Sequence, residues 1–303
     1  MKKTIGLFTN HQNINEYFAK KPEYHQAYGE LSEEISRQGG VMYLVGPQNN
    51  YMGNGDFSDS KQFVNQKVED SGAVKIDVLF DKSSFQSDQT IPVFNTAFIN
   101  EICTDKWMTY QTFPQFCPDT FKISSLEEWR TALPQIETDI IVIKPIDGGE
   151  GKGVIVSSKS DVSETSLQFP LLLQEFLDSS QGVPGIVDGI HDFRIAIVNG
   201  EIIYCYFRTP PSGSYIANVS QGGRFEVVPV QKIPEDALDV VASIEKFMSQ
   251  SPNRFYGVDL AFTPKGVKII EMNSMLGLLP NKDGEEFKKL KQRLASILLS
   301  LSK

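Results

Sequence analysis

Residues 140–158 read IIVIKPIDGGEGKGVIVSS and join two apolar runs through a loop with four glycines in six positions. The apolar runs predict two β-strands, Ile140 to Lys144 and a VIVSS strand after the loop. Glycines let backbone N–H groups approach a ligand closely, so such a loop suits a polyphosphate. An ordinary flexible hairpin loop is the alternative, and Lys144 at the loop edge favours phosphate. The glycines concerned are Gly148, Gly149, Gly151 and Gly153.

This loop fits neither of two familiar phosphate-binding motifs. A P-loop needs Ser or Thr after its lysine, but Gly153 follows Lys152. A dinucleotide fingerprint needs a third glycine that is missing here and a helix afterwards, where a strand is predicted. The kind of phosphate-binding site must therefore be identified from motifs elsewhere in the chain.

Two apolar strands further along the chain carry acidic and amide groups. Glu271 and Asn273 are two residues apart in a strand, so they project from the same face. A three-residue Pro-Lys-Gly loop, built as a type I turn with a glycine bulge, predicts that Thr263 pairs with Val267. That register places Asp259 opposite Glu271, and oxygen-only ligands suit Mg²⁺ or Mn²⁺. A solvated sheet face is the alternative, and a one-residue slip would turn Asp259 away.

An apolar strand predicted at 171–177 ends in a segment suited to a flat ligand. Its backbone groups could bond to an adenine edge, and its last two side chains offer apolar walls. An ordinary strand end is the alternative. The residues concerned are Gln174, Glu175, Phe176 and Leu177.

Two arginines lie on the strands of a hairpin predicted at Asn199-Gly200. Arg194 and Arg208 are suited to bind phosphate oxygens, although one arginine on a strand more often forms a surface salt bridge. Asn218 ends the Pro/Ser/Gly-rich stretch TPPSGSYIAN, and it is a candidate site residue only in combination with the other residues named here. His191, next to Asp192, is either a general base or, as we favour, a plain loop histidine.

The alternation of strand and helix patterns over the first 95 residues predicts a parallel α/β layer. Strands are predicted at 4–9, 41–45 and 76–80, with a helix from Tyr24 to Gln38 that ends at Gly39-Gly40. Residues 49–59 are predicted to form a loop. Further helices are predicted to begin near Asp105 and Ser125 and to span 235–248 and about 285–301.

The composition excludes several classes of protein. The chain has 303 residues and a formal net charge of −9, which disfavours nucleic acid as a partner. No apolar run approaches the ~18 residues of a membrane helix, and the apolar stretch near the start is too short for a signal peptide. Three cysteines without metal-like spacing indicate thiols of a reducing compartment. We expect a soluble cytoplasmic protein that binds no nucleic acid and no membrane.

Taken in order, these segments resemble the ATP-grasp superfamily, and within it the branch of glutathione synthetase and the ribosomal-protein glutamate ligase. The resemblance is specific from about residue 95 to 280 and weaker before that. The ordered signature is Asp105-Lys106, Lys144 with its glycine loop, Gln174 to Leu177, Asp192-Phe193-Arg194, Arg208, Asn218-Val219 with Gly222-Gly223, Gly257-Val258-Asp259, and Glu271-Met272-Asn273.

The resemblance implies a role for each matched position. The glycine loop, Lys106 and Lys144 would contact the phosphates of ATP, and Lys144 would also lie near the adenine. Glu175 to Leu177 would line the adenine and ribose pocket, with Gln174 and Asp192 nearby. Arg208 and Asn218 would lie at the transferred phosphate and Arg194 close to the acceptor. Asp259, Glu271 and Asn273 would hold two Mg²⁺ ions.

The implied fold is α/β and α+β, an ATP-grasp fold with an N-terminal Rossmann-like domain. The implied domains are residues 1–95, 96–178 and 179–303. The implied activity is an ADP-forming ligase that joins a small carboxylate to an amine through an acyl phosphate. An ATP-grasp kinase acting on a hydroxyl and a non-catalytic ATP-binding module are the alternatives, and a homo-oligomer stays open.

Two positions depart from the family pattern. The Arg-Ser-Asn run of the glutamate ligases is Ile216-Ala217-Asn218 here, so one positive charge is missing. The usual Pro-Gly after the metal-binding asparagine is Leu276-Gly277. The first change puts the acceptor in doubt, and the second alters a substrate loop.

Overall fold

The computed structural model describes residues 2–148 and 151–302. Its contacts divide the chain into two compact units. The N-terminal unit comprises Met1–Thr96, Ser251–Phe255 and Met275–Lys303, and the central unit comprises Ala97–Gln250 and Tyr256–Ser274. The predicted division into three domains stays a prediction.

Two helices of the central unit begin at the capping residues that the sequence predicts. The Asp105 carboxylate accepts hydrogen bonds from the backbone N–H of Trp107 (2.8 Å) and Met108 (3.1 Å). Ser125 Oγ accepts from Glu128 N–H at 3.2 Å, while the Glu128 carboxylate accepts from the N–H of Ser124, the residue before the cap, at 2.7 Å. The helices are α1 (Ile14–Lys20), α2 (Pro22–Arg37), α3 (Ala97–Thr104), α4 (Lys106–Thr112), α5 (Leu126–Ala132), α6 (Glu235–Met248) and α7 (Glu285–Leu301).

None of the helices within the described ranges combines the length and the apolar character that crossing a bilayer requires.

The N-terminal unit is built on a sheet with the strand order β6-β5-β2-β1-β8-β9. Its strands β2, β1, β8 and β9 are parallel, which confirms the predicted parallel layer, and β5 and β6 extend it antiparallel. The strands are β1 (Lys3–Phe8), β2 (Gly40–Val45), β3 (Tyr51–Gly53), β4 (Asp56–Phe57), β5 (Ser60–Val64), β6 (Lys67–Asp70), β7 (Val74–Lys75), β8 (Val78–Asp81) and β9 (Val93–Phe94).

The prediction of a loop over residues 49–59 is wrong in part. Strands β3 and β4 pair antiparallel within this stretch, and β7 pairs with β4. Asn54 and Gly55 turn between β3 and β4 with φ of 54° and 82°. An Asn-Gly turn between short strands is a hairpin signal, and it is present in the sequence.

The central unit contains two sheets. In the first, the order is β10-β13-β11-β12, from β10 (Thr120–Ile123), β11 (Ile140–Pro145), β12 (Ile155–Ser158) and β13 (Leu171–Glu175). Trp129 of α5, 1% exposed, packs with the apolar side chains of this sheet. Strand β13 ends two residues before the predicted Leu177, because Phe176 N–H donates instead to Thr138 Oγ1 at 3.3 Å.

The second sheet has the order β16-β15-β14-β17-β18. Helix α6 and the first helices of the unit share an apolar core with it. The predicted Asn199-Gly200 turn joins β14 to β15, with φ of 50° and 85° at the two residues. The strands are β14 (Asp192–Val198), β15 (Glu201–Thr209), β16 (Arg224–Val228), β17 (Phe255–Thr263) and β18 (Gly266–Asn273).

The hairpin between β17 and β18 contradicts the predicted pairing at its turn but confirms that Asp259 lies opposite Glu271. Thr263 pairs with Gly266, and not with Val267 as predicted, so the loop has two residues. An irregularity between Asp259 and Leu260 then shifts the register by one residue and places Asp259 opposite Glu271. The predicted opposition is therefore confirmed, but a bulge inside the strands produces it and not the turn.

Candidate functional site

The two sheets of the central unit line one cleft. Its volume is about 940 Å³ including the open mouth. Val142 and Gln174 are cross-strand partners, so they share one face of the first sheet with Lys144. Ala261 and Glu271 line the cleft from the second sheet.

Two lysines enter this cleft from different elements. The Lys106 ammonium, on the first residue of α4, donates to the Gly148 carbonyl at 2.7 Å and lies 3.6 Å from Glu271 Oε1. The Lys144 ammonium donates to the Ile270 carbonyl at 3.4 Å. Burial lowers the pKa of Lys144, and the Glu271 carboxylate opposes that shift. An anionic ligand beside Lys144 would oppose the effect of burial on its pKa, so the site favours such a ligand.

The glycine loop adopts backbone conformations that favour glycine. Gly148, Gly151 and Gly153 have φ of 93°, 69° and 74°. A Cβ on Gly151 would lie 2.7 Å from Gln221 Nε2 and 3.2 Å from Asn218 Oδ1. The loop therefore approaches the segment around Asn218 closely at Gly151. The predicted loop residue Gly149 lies outside the described residues.

Gln174 presents an oriented acceptor beside the cleft. Its Nε2 donates to Thr120 Oγ1 at 2.8 Å, and that hydroxyl donates to the Pro118 carbonyl at 2.8 Å. This chain fixes which way the amide points. Gln174 Oε1 is buried and accepts no hydrogen bond in the structure, so a ligand that supplies a donor would satisfy it.

The segment after Gln174 closes one end of the cleft. The Glu175 carboxylate accepts from the Lys265 ammonium at 2.7 Å, and Leu177 lines the cleft. The ring of Phe176 meets Tyr215 edge-on, with 5.0 Å between the ring centres. Tyr215 belongs to the stretch that leads to Asn218, which also lines the cleft.

Two arginines and two aspartates form a buried charge network. Arg194 Nε and one of its terminal amino groups each donate to Asp259 at 2.6 Å. Arg208 Nε donates to Asp192 at 2.6 Å, and its terminal amino group donates to Asp259 at 2.6 Å. Asp192, Arg208 and Asp259 are 6%, 6% and 2% exposed.

The two carboxyl groups of this network have pKa values shifted in opposite directions. Burial raises the pKa of Asp192 to about 6 against the opposing pull of Arg208. Burial would also raise the pKa of Asp259, but Arg194 and Arg208 outweigh it and hold the value at about 2. Asp259 is therefore the firmly ionised member of the pair.

The predicted metal ligands lie on one face of the β17–β18 hairpin. Asp259 pairs with Glu271, and Asn273 pairs with Gly257. No group of three His, Cys, Asp or Glu among residues 2–148 and 151–302 could hold a metal ion, so this set depends on the Asn273 amide. Two carboxylates and an amide suit Mg²⁺ by their chemistry, although arginines hold Asp259 in the structure.

His191 does not join the charged groups. Its ring packs against Phe207 and Phe262, with 5.3 Å and 5.7 Å between ring centres. Its Nδ1 lies 2.9 Å from the Gly189 carbonyl oxygen, and burial lowers its pKa. These contacts fit the plain loop histidine that the sequence favoured.

Several residues that line the cleft were not predicted from the sequence. Val142 and Val156 line it from the strands around the glycine loop, and Tyr215 from the Pro/Ser/Gly-rich stretch. The alternation of side chains along β11 would have identified Val142, two residues before Lys144. Nothing in the local pattern marks Tyr215.

One family model matches most of this unit. It describes the ATP-grasp domain of prokaryotic glutathione synthetase and covers residues 105–275. The chain belongs to this ATP-grasp family. Each of the predicted site residues, from Lys106 to Asn273, lies inside the matched ATP-grasp region.

Curated relatives match the ATP-grasp region over part of their length. A probable alpha-L-glutamate ligase from Shewanella pealeana is 31% identical over 144 residues, 46% of this chain and 28% of that protein. A glutathione synthetase from Synechococcus elongatus is 29% identical over 156 residues, 49% of this chain and 44% of that protein. The alignments span less than half the length of these relatives.

Solved structures show the same fold over the whole chain. The D-alanine–D-alanine ligase from Bacillus anthracis, complexed with ATP, superposes with a TM-score of 0.65 at 12% identity. The match covers 99% of this chain and 97% of that one. The predicted ATP-grasp fold is thereby confirmed.

Proposed function

We propose that this chain is an ATP-dependent, ADP-forming carboxylate–amine ligase. It would make an amide or peptide bond on a small amino-acid-like or peptide substrate. The observation that carries the proposal is the ATP-grasp cleft, where Lys106 and Lys144 face the Asp259–Glu271 pair. The relatives named above, a glutamate ligase and a glutathione synthetase, support this reaction class.

ATP is the nucleotide that the cleft suits best. Its phosphates would lie against Lys106, Lys144 and the glycine loop, where two ammonium groups and backbone N–H groups converge. Its base would lie between apolar walls such as Val142 and Leu177. The unsatisfied Gln174 Oε1 would accept from an exocyclic amine, which adenine carries.

Asp259, Glu271 and Asn273 would hold magnesium, which supplies charge neutralisation at the phosphates. The lobes 96–178 and 179–303 would hold the nucleotide between them.

The reaction needs no enzyme nucleophile. An oxygen of the substrate carboxylate attacks the γ-phosphorus of ATP, the bond to the bridging oxygen breaks, and ADP leaves. The amine then attacks the carbonyl carbon of the acyl phosphate, inorganic phosphate leaves, and the nitrogen loses a proton. Arg194, Arg208 and Asn218 would align the transferred phosphate and offset its charge.

We infer the cell compartment from the thiols. Cys103, Cys117 and Cys205 are free and buried, which supports a reducing cytoplasm. Small carboxylate and amine molecules would be the partners, with oligomeric state left open.

The decisive experiment measures ADP release over a matrix of paired carboxylates and amines. Hydroxylamine should capture the acyl phosphate as a hydroxamate when the carboxylate is present without the amine. ADP release that needs a hydroxyl substrate and yields no hydroxamate would indicate a kinase. An Asp259→Ala variant with full ATP turnover would refute the metal assignment.

A further inference from the structure

The Asp259 carboxylate already binds three hydrogen-bond donors. Arg194 contributes two of them in a bidentate fork, and Arg208 contributes the third, all at 2.6 Å. A carboxylate offers about four lone-pair positions. A divalent cation at Asp259 would therefore lie against two guanidinium charges, and binding through both carboxylate oxygens would displace the fork.

The two arginines differ in what holds them. Arg208 Nε donates to Asp192 at 2.6 Å, so Arg208 keeps a charged partner if Asp259 is withdrawn. In the described part of the chain, both side-chain hydrogen bonds of Arg194 go to Asp259. The loss of Asp259 would thus release Arg194 and leave Arg208 in place.

We propose that Asp259 serves two cations in turn: it holds Arg194 while the cleft is empty and exchanges it for the metal ion when nucleotide enters. Arg194 then becomes the guanidinium that turns to the transferred phosphate. Asp192 is a positioning residue that keeps Arg208 fixed. This inference rests on the proposed function, because it needs a nucleotide and a divalent cation in the cleft.

The exchange couples two binding events. A buried guanidinium without a partner is costly, so Arg194 leaves Asp259 only when another anion is available. A phosphate accepts a bidentate guanidinium as well as a carboxylate does. Metal and nucleotide should therefore each favour the binding of the other, by the same factor.

The first test follows the two Arg side chains directly. Nε–H resonances of the full-length protein are recorded by nitrogen NMR, and Arg194→Lys assigns the Arg194 signal. Addition of Mg²⁺ with a non-hydrolysable ATP analogue should shift the Arg194 signal strongly and the Arg208 signal little. A fixed Arg194 signal beside a shifted Arg208 signal would overturn the inference.

The second test needs no nucleotide. Binding of Mn²⁺ to the nucleotide-free protein is measured by electron paramagnetic resonance. Arg194→Gln should bind Mn²⁺ about tenfold more tightly than the unchanged protein, within the usual range of such couplings. In this variant Arg208 still donates a hydrogen bond to Asp259, so the buried carboxylate keeps a charged partner.

Two controls separate the exchange from a general charge effect. Lys106→Gln removes the positive charge that lies 3.6 Å from Glu271 Oε1 without touching Asp259, and it should change the Mn²⁺ affinity less than Arg194→Gln does. Arg130→Gln removes an exposed arginine that makes a similar fork on Glu164, and it should change nothing. Equal gains in Arg194→Gln and Lys106→Gln, or no Mn²⁺ binding to any variant, would overturn the exchange.

Failure of the proposed function gives a different result. Calorimetry would detect no binding of the ATP analogue if the cleft takes no nucleotide. If the enzyme is a kinase, the analogue would bind but the ligase assay would yield no hydroxamate. The Mn²⁺ comparison between Arg194→Gln and Lys106→Gln would still decide whether Arg194 competes for Asp259.

Discussion

The Lys106 ammonium lies 3.6 Å from Glu271 Oε1 and donates to the Gly148 carbonyl at 2.7 Å. It thereby links the glycine loop to the carboxylate-bearing strand β18. Its place on the first residue of α4 is set by the Asp105 cap, so the helix start directs this charge into the cleft. Both partners are oxygen atoms that a phosphate could replace.

Replacement of Lys106 by Met should weaken nucleotide binding. The cleft loses one of its phosphate-facing charges, and we expect about a tenfold rise in Kd, since hydrogen bonds to charged groups contribute about 1.5–3 kcal/mol. Isothermal titration calorimetry with ATP measures this change. Lys268→Met is the control, because the Lys268 ammonium donates to the Gln115 carbonyl at 3.0 Å. Equal affinity in Lys106→Met and the unchanged protein would contradict the assignment.

Gly151→Ala should impair nucleotide binding more than Gly213→Ala. Both glycines have positive φ, 69° and 79°, so both variants carry a backbone cost of about 1–2 kcal/mol. A Cβ at Gly151 would also meet Gln221 Nε2 at 2.7 Å, whereas nothing lies within 4 Å of one at Gly213. The KM for ATP and the melting temperature of the two variants separate these effects. A larger change in KM at Gly213 would refute the close approach.

Gln174→Leu should reduce the preference for an adenine base. The variant removes the buried acceptor Oε1, and we expect about a tenfold weaker binding of ATP. Inosine triphosphate carries an oxygen where adenine carries the amine, so its binding should change little. The ratio of the two affinities is the measurement, and Gln135→Leu at an exposed position is the control. An unchanged ratio would show that Gln174 does not contact the base.

Stability of the N-terminal unit should depend on pH through Lys82. Its ammonium donates to the Leu276 carbonyl at 2.6 Å, and burial lowers the pKa of Lys82 to about 8. An unfolded lysine has a pKa of about 10.4, so between these values the unfolded chain binds more protons. The free energy of unfolding should therefore rise with pH from about 8 to about 10.

Urea unfolding of the unchanged protein and of Lys82→Met measures this dependence. The difference between them should grow in favour of the unchanged protein as pH rises through this window. Lys75→Met, at an exposed lysine of the same unit, controls for the general effect of charge. A difference that stays flat or shrinks with rising pH would contradict the expected sign.

Local signals were sufficient for much of the fold. Helices α6 and α7 have the predicted bounds, since each combines an apolar face with acidic residues in its first turn. The Asn199-Gly200 hairpin is confirmed for the same reason: its turn chemistry is local. The β3–β4 hairpin was missed although Asn54-Gly55 marks it, because its strands are only three and two residues long.

The network of Arg194, Arg208 and Asp259 could not be predicted from the sequence. Arg194 and Asp259 are 65 residues apart, and Arg208 and Asp259 are 51 apart. No local pattern specifies such a contact, because it depends on how β14, β15 and β17 lie side by side. The resemblance to a family placed these residues in one cleft, but it did not indicate that the arginines hold the carboxylate.

The N-terminal unit takes its final helix from the far end of the chain. The Lys3 ammonium donates to the carbonyl oxygens of Leu299 and Ser302, 296 and 299 residues away. On the ribosome, β1 emerges before α7, so that side of the unit stays uncovered until α7 has been made. The long continuous segment of the central unit, Ala97–Gln250, has by then left the exit tunnel. Synthesis from the N-terminus therefore favours a nascent chain whose middle folds before its beginning.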